Sequence, residues 1–134
     1  MNIKEKEYPG RPTILVVEDN EANLNYLVFL LKKLRLNVIS TANGEDAIEM
    51  MENKEADGML LDINLGSGIS GIMLMETFRK DSRFQELPIS AVTAYYGGGL
   101  SEELLSKGFT DYLSKPFTFD ELKNLLSKFL ENDD

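Results

Sequence analysis

Neither cysteine nor histidine occurs in the 134 residues, and tryptophan is also missing. Without cysteine there is no disulfide, no thiolate nucleophile and no sulfur-ligated metal, and the sequence is silent on redox compartment. Without histidine, imidazole acid–base catalysis, serine–histidine triads and histidine-bound zinc are excluded. Long apolar stretches are absent too: strictly apolar runs such as Ile14 to Val17 fall far short of the roughly 20 residues a bilayer span needs. Positive charge is in deficit, with 14 Lys and Arg against 23 Asp and Glu, a net charge of −9. That field repels nucleic-acid phosphates and anionic lipid headgroups, which argues against nucleic acid or a membrane surface as an unaided partner. The N-terminal MNIKEKEYPGRP has no apolar signal core, so a cytoplasmic location is expected. The chemistry left to the chain rests on carboxylates, hydroxyls, lysine and a hard cation.

What is present fits one globular domain. A chain of this length buries about two-thirds of its unfolded surface in a single core, and 43% hydrophobic with 28% charged residues is an ordinary globular balance. Residues 1–12, polar and carrying Pro9-Gly10 and Pro12, read as a flexible leader. Residues 13–131 read as the domain and 132–134 as a C-terminal tail, which leaves no room for an output domain. Short β-prone runs fall at Thr13–Val17, Asn37–Thr41, Met59–Ile63, Ile89–Thr93 and Thr110–Ser114. Several are almost continuously apolar, as parallel strands covered on both faces must be.

Helical periodicity fills the intervals. After Asn20, an N-cap candidate, Leu24, Leu27, Val28, Leu31 and Leu34 recur at helical spacing, with Lys32, Lys33 and Arg35 where cations suit the helix dipole. Ala47, Ile48 and Met51 mark a second helix after Asn43-Gly44, Ile72, Met75 and Phe78 a third, and Leu104 and Leu105 a weaker fourth. Thr118-Phe-Asp-Glu121 is a capping box that opens a fifth through Leu122, Leu125, Leu126 and Phe129. Five strand–helix units with short connections predict an α/β fold, a doubly wound parallel sheet.

Ligands in such a sheet bind beyond the carboxyl ends of its strands, and polar residues collect there. Strand one runs into Glu18-Asp19-Asn20, strand three into Asp62-Ile63-Asn64, strand four into Thr93-Ala94 and strand five into Lys115-Pro116. Each has an ordinary structural use alone: acids at a helix start, an Asp in a turn, a Thr in a strand, a Lys-Pro turn. Complementary groups from four independent strand ends are a different matter. Three carboxylates at ~4 Å and an effective dielectric of ~20 repel by about 4 kcal/mol per pair, so either one is protonated or a cation joins them. Oxygen ligands too few for a complete cage favour Mg²⁺ retaining water and sharing a phosphoryl oxygen. Lys115 and Thr93 are placed to hold further phosphoryl oxygens. One carboxylate is then the nucleophile toward phosphorus, and Asp62, alone at the middle of the sheet, is the best candidate.

These residues resemble the receiver domain of two-component response regulators, with the single-domain chemotaxis receiver the nearest architectural analogue. The resemblance covers roughly Thr13 to Leu130 through ILVVEDN, LLDINL, AVTA and DYLSKPF. It implies a flavodoxin-like fold with strand order 2-1-3-4-5. It further implies that Asp62 is the phosphoacceptor, that Asp19 and Asp62 ligate Mg²⁺ directly, that Glu18 acts through water and that Asn64 offers its main-chain carbonyl. Thr93 and Lys115 would bind phosphoryl oxygens, Tyr112 would be the aromatic switch that turns inward as Thr93 moves, and the Lys115-Pro116 bond would be cis. The face formed by the fourth helix, fifth strand and fifth helix would change shape on phosphorylation. The implied partners are a sensor histidine kinase or a histidine phosphotransfer protein, docking near the first helix and the loop after strand five, and a downstream protein target. The phosphohistidine must come from that donor, because this chain has no histidine. The expected protein is a switch with slow autodephosphorylation rather than a turnover enzyme.

Two segments depart from the family pattern. After the acceptor, the usual Met-Pro and Asp-Gly give way to Leu65-Gly-Ser-Gly-Ile-Ser-Gly71, one residue longer. Asn64 precedes the change, so the expected metal ligation stands, while the loop's rigidity and kinase contacts are not carried over. Tyr95-Tyr96-Gly97-Gly98-Gly99 predicts a mobile approach to the fourth helix. The bulk of Tyr95 is expected to slow dephosphorylation. Rival readings are a small Mg²⁺-dependent aspartyl phosphatase, which would want an acid where Asn64 stands, and a receiver-like adaptor that works unmodified.

Overall fold

Consecutive strand residues point to opposite faces, and in this chain both faces are apolar. The structure, a computed structural model, describes residues 8–94 and 99–130. Five parallel strands, β1 (Thr13–Val17), β2 (Asn37–Thr41), β3 (Gly58–Asp62), β4 (Ile89–Thr93) and β5 (Asp111–Ser114), alternate with five helices, α1 (Glu21–Lys33), α2 (Gly44–Met50), α3 (Gly71–Arg79), α4 (Leu100–Lys107) and α5 (Phe119–Leu130). A 3-10 turn, Ser82–Phe84, sits before β4. The sheet order is β2-β1-β3-β4-β5, as the resemblance implied. The chain reverses its direction of travel across the sheet between β1 and β3, and there the carboxyl ends of adjacent strands open a crevice.

Two apolar layers sandwich the sheet. Ile14, Val16, Leu60, Val92 and Leu113 face α1 and α5 through Leu27, Leu30, Leu31, Leu122 and Leu126. Leu15, Val17, Met59, Leu61, Ile89 and Ala91 face α2, α3 and α4 through Ala47, Met51, Leu74, Met75 and Leu104. Every residue of β3 and β4 is buried, which explains their largely apolar sequence. The expected Leu104–Leu105 pair divides: Leu104 is buried and Leu105 exposed. The side chain of Phe129 and the residues Tyr95–Gly98 lie outside the described residues.

The expected caps at Asn20 and Thr118 form, and Asn43 and Ser70 cap α2 and α3. Asn20 accepts from the Asn23 N–H, Asn43 from Asp46 and Ser70 from Met73, while Thr118 and Glu121 cap each other reciprocally. Three strand boundaries move by one residue, β3 starting at Gly58 rather than Met59. β3 ends at Asp62 rather than Ile63 because the Ile63 carbonyl accepts the Gly71 N–H at 2.9 Å, closing the following loop instead of extending the ladder. β5 begins at Asp111 because Thr110 pairs with Ile89 partly through its side chain, the hydroxyl accepting the Ile89 N–H at 3.0 Å. At the amino end of the sheet, Asn37 fastens residues 8–12: its Oδ1 accepts the Tyr8 N–H at 2.7 Å and its Nδ2 donates to the Tyr8 and Arg11 carbonyls.

Candidate functional site

The carboxyl ends of β1 and β3 put their acids side by side. Glu18 follows β1 and is only 2% exposed; its Oε2 accepts the Asn20 N–H at 3.1 Å. Asp62 closes β3, is 6% exposed, and through Oδ1 accepts the Asn64 N–H at 3.0 Å. The start of α3 presses against this strand end so closely that a Cβ on Gly71 would stand 2.1 Å from the Asp62 carbonyl oxygen. Only glycine fits there. Asp19 is exposed, yet carboxylate oxygens of Glu18, Asp19 and Asp62 all lie within 4.8 Å of one another.

The opposite wall comes from β4 and β5. Thr93 ends β4 and is buried, and its carbonyl accepts the Lys115 N–H at 2.7 Å. The Lys115-Pro116 bond is cis. The Lys115 ammonium bridges two of the acids, donating to Glu18 Oε1 at 2.5 Å and to Asp62 Oδ2 at 3.1 Å. Asp62, Ile63, Asn64, Thr93, Ala94 and Lys115 line a cleft of about 420 Å³. A second, more apolar groove of about 330 Å³ adjoins it, sharing Ala94 and Lys115 and continuing over Glu18, Asn23, Tyr26, Leu27, Pro116 and Phe117.

Charge in this cup is unbalanced. Burial raises the Glu18 pKa; Lys115 works against that rise and the neighbouring Asp62 adds to it. For Lys115, burial acts to lower the pKa, but the Glu18 and Asp62 carboxylates outweigh it and the net shift is upward. Lysine is thus held cationic beside an excess of acid. Three carboxylates facing one ammonium are a donor set of hard oxygens with residual negative charge, which fits a small hard divalent cation such as Mg²⁺. Among the described residues it is the one acidic group of this kind.

Six of the seven residues singled out from the sequence therefore meet: Glu18, Asp19 and Asp62 in the cup, and Asn64, Thr93 and Lys115 around the cleft. Tyr112 stands apart. It is half-buried against the α2–α4 layer and lines a groove of about 290 Å³ with Asp111, Leu113, Glu121, Asn124 and Leu125. Tyr95, expected to flank Thr93, lies outside the described residues. Sequence reasoning missed Gly71, whose only signal was a glycine directly before an apolar helical run, and Glu45, whose carboxylate accepts the Ile69 N–H in the acceptor loop at 3.1 Å. No helix among the described residues is long and apolar enough to cross a membrane.

Comparison with known proteins points the same way. Residues 14–127 match the family model described as the response regulator receiver domain. The histidine-protein kinase BarA of Escherichia coli K12 is 34% identical over 117 residues, which are 87% of this chain and 13% of the kinase. This chain thus spans a small part of BarA. The polar-differentiation response regulator DivK of Brucella anthropi is 28% identical over 118 residues, covering 88% of this chain and 95% of DivK. Among solved structures, the receiver domain of sensor histidine kinase PA1611 from Pseudomonas aeruginosa, with magnesium coordinated in its active-site cleft, superposes with a TM-score of 0.81 at 31% identity, covering 90% of this chain and 98% of that one.

Proposed function

This chain belongs to the response regulator receiver domain family, and from that premise we propose that it is a phosphorylation switch in which Asp62 takes a phosphoryl group from a phosphohistidine donor. The functional unit of the proposal is residues 13–131. Glu18, Asp19 and Asp62, with the Asn64 main-chain carbonyl, would hold Mg²⁺, which when bound offsets the excess negative charge of the cup and of an incoming phosphoryl group.

The chain's own residues do the rest. An Asp62 carboxylate oxygen attacks phosphorus as the phosphorus–nitrogen bond of the donor breaks, its electron pair returning to the imidazole. Lys115, which shares its ammonium between Glu18 and Asp62, transfers its hydrogen bonds to the new phosphoryl oxygens. Thr93 offers its hydroxyl to another, and the space it leaves admits Tyr112, reshaping the surface of α4, β5 and α5. A bias of a few kcal/mol between two conformers is enough for such a switch. The donor is a sensor histidine kinase or a histidine phosphotransfer protein and the readout is a downstream protein. Neither nucleic acid nor membrane is required.

The observation that carries this reading is the Lys115 ammonium lying on both Glu18 and Asp62, with Asp19 beside them and Thr93 on the same cleft. An aspartyl phosphatase would need a general acid at position 64, and asparagine cannot serve. The test is intact mass after incubation with Mg²⁺ and acetyl phosphate. Wild type gains one phosphoryl group and Asp62→Asn gains none; an equal gain in both, or in neither, refutes Asp62 as the acceptor.

A further inference from the structure

The loop that follows Asp62 has little intrinsic stiffness. Between Leu65 and Gly71 it contains glycines 66, 68 and 71 and no proline, and Gly66 and Gly68 adopt φ of 75° and 78°. Ordering glycines is entropically expensive, so something outside the loop must hold it.

At its start, Asp62 Oδ1 accepts the Asn64 N–H and Asn64 Oδ1 accepts the Gly66 N–H at 3.2 Å. At its end, Ser70 caps α3. The middle is gripped by the first turn of α2. Glu45 Oε2 accepts the Ile69 N–H at 3.1 Å. Its carboxylate lies so close over Gly68 that a Cβ there would stand 2.7 Å from both oxygens. The Ile69 side chain in turn covers Gly44, where a Cβ would meet Ile69 Cγ1 at 2.5 Å. Asn43 already caps α2 through the Asp46 N–H, so the Glu45 carboxylate is not needed within its own helix and reaches across to the loop. On the far side of the loop, Gly66 faces Asp19, with a hypothetical Cβ 2.8 Å from Asp19 Oδ2.

We propose that Glu45 is a positioning residue, anchoring Gly68–Ile69 so that Gly66 stays against Asp19 and Asn64 stays beside Asp62, which preorganises the acidic cup for a divalent cation. The inference rests on the reading of that cup as a Mg²⁺ site. Its physical content is that the ordering cost of the glycine loop is met before the cation arrives, so affinity rises without a new ligand.

The experiment measures Mg²⁺ affinity by calorimetry and Ile69 amide exchange by NMR in wild type, Glu45→Ala, Glu45→Gln and Glu49→Ala. Glu49 is an exposed acid on the same helix and controls for lost charge. Glu45→Ala is expected to weaken Mg²⁺ binding roughly three- to tenfold, the scale set by one hydrogen bond, and to speed exchange at Ile69. Glu45→Gln keeps an acceptor oxygen and recovers most of the affinity, while Glu49→Ala stays within about twofold of wild type, as an exposed charge should. Equal weakening in Glu45→Ala and Glu49→Ala overturns the proposal, because the field and not the anchor would then be responsible. So does faster Ile69 exchange with unchanged affinity. If wild type takes up no Mg²⁺, the reading of the cup itself fails and the inference falls with it. A wild type that binds while Glu45→Ala binds equally well removes Glu45 alone.

Discussion

The two ends of the sheet solve opposite electrostatic problems. At the amino end, the Arg79 guanidinium is spread over the carbonyls of Phe84, Gln85, Leu87 and Gly108 and the Thr110 hydroxyl, at 2.6 to 3.2 Å. One planar cation thereby ties α3 to the 3-10 turn and to the connections that enter β4 and β5. Burial pulls its pKa down, with Glu86 opposing, and its acceptors are neutral dipoles that leave no charge in conflict. At the carboxyl end, one ammonium answers three acids. The first arrangement is saturated and stabilises the fold. The second is left short of positive charge, which is the condition under which a cation or a phosphoryl group changes something.

The sharpest way to break this contrast is Arg79→Met. Stripping several carbonyls of a charged donor should cost about 2–4 kcal/mol in urea unfolding, while the calorimetric Mg²⁺ affinity of the folded variant stays at the wild-type value. Next in size is the cation itself. Saturating Mg²⁺ should raise wild-type stability by about 2.7 kcal/mol at a hundred times its Kd, reversed by chelation and absent in Asp19→Asn/Asp62→Asn. The same increment in Arg79→Met would show that the two ends act independently.

Asp62→Asn alone sharpens the comparison from the other side. It relieves carboxylate repulsion and keeps an acceptor for the Asn64 N–H, so metal-free stability should remain within about 0.5 kcal/mol of wild type or exceed it. A loss as large as that of Arg79→Met would erase the distinction drawn here. The smallest effect expected is in pH dependence. Because the folded-state pKa of Glu18 is raised, the folded state binds more protons between the ordinary glutamate value and the raised one. Its stability advantage is complete below that window and is lost as pH rises through it. Unfolding midpoints without Mg²⁺ should therefore fall across the window in wild type and fall less in Glu18→Gln.

The sequence carried the architecture because both layers imprint it: Leu60 and Leu61, neighbours in the chain, face different helices. The cup was legible because its members sit at strand ends, where topology alone forces convergence. Arg79 was not legible. All but one of its partners are main-chain carbonyls between residues 84 and 108, and carbonyls have no letter in a sequence. Glu45 was hidden for a related reason, since its partner is the N–H of a residue 24 positions away. The one-residue shifts at the end of β3 and the start of β5 share that origin: the Ile63 carbonyl is taken by the Gly71 N–H and the Ile89 N–H by the Thr110 hydroxyl. Tyr112 was named through the family pattern, and its position on a separate groove is a matter of strand register that residue spacing does not display.

The fastening of Tyr8 to Asn37 has a practical corollary. Asn37 opens β2, so Tyr8 is moored at the sheet's floor, about a full strand length, roughly 17 Å, from the rim where the acids gather. A linker joined ahead of Tyr8 can bear a surface anchor or a dye while the rim stays open to a docking protein, which makes that side the natural handle for tethered binding measurements.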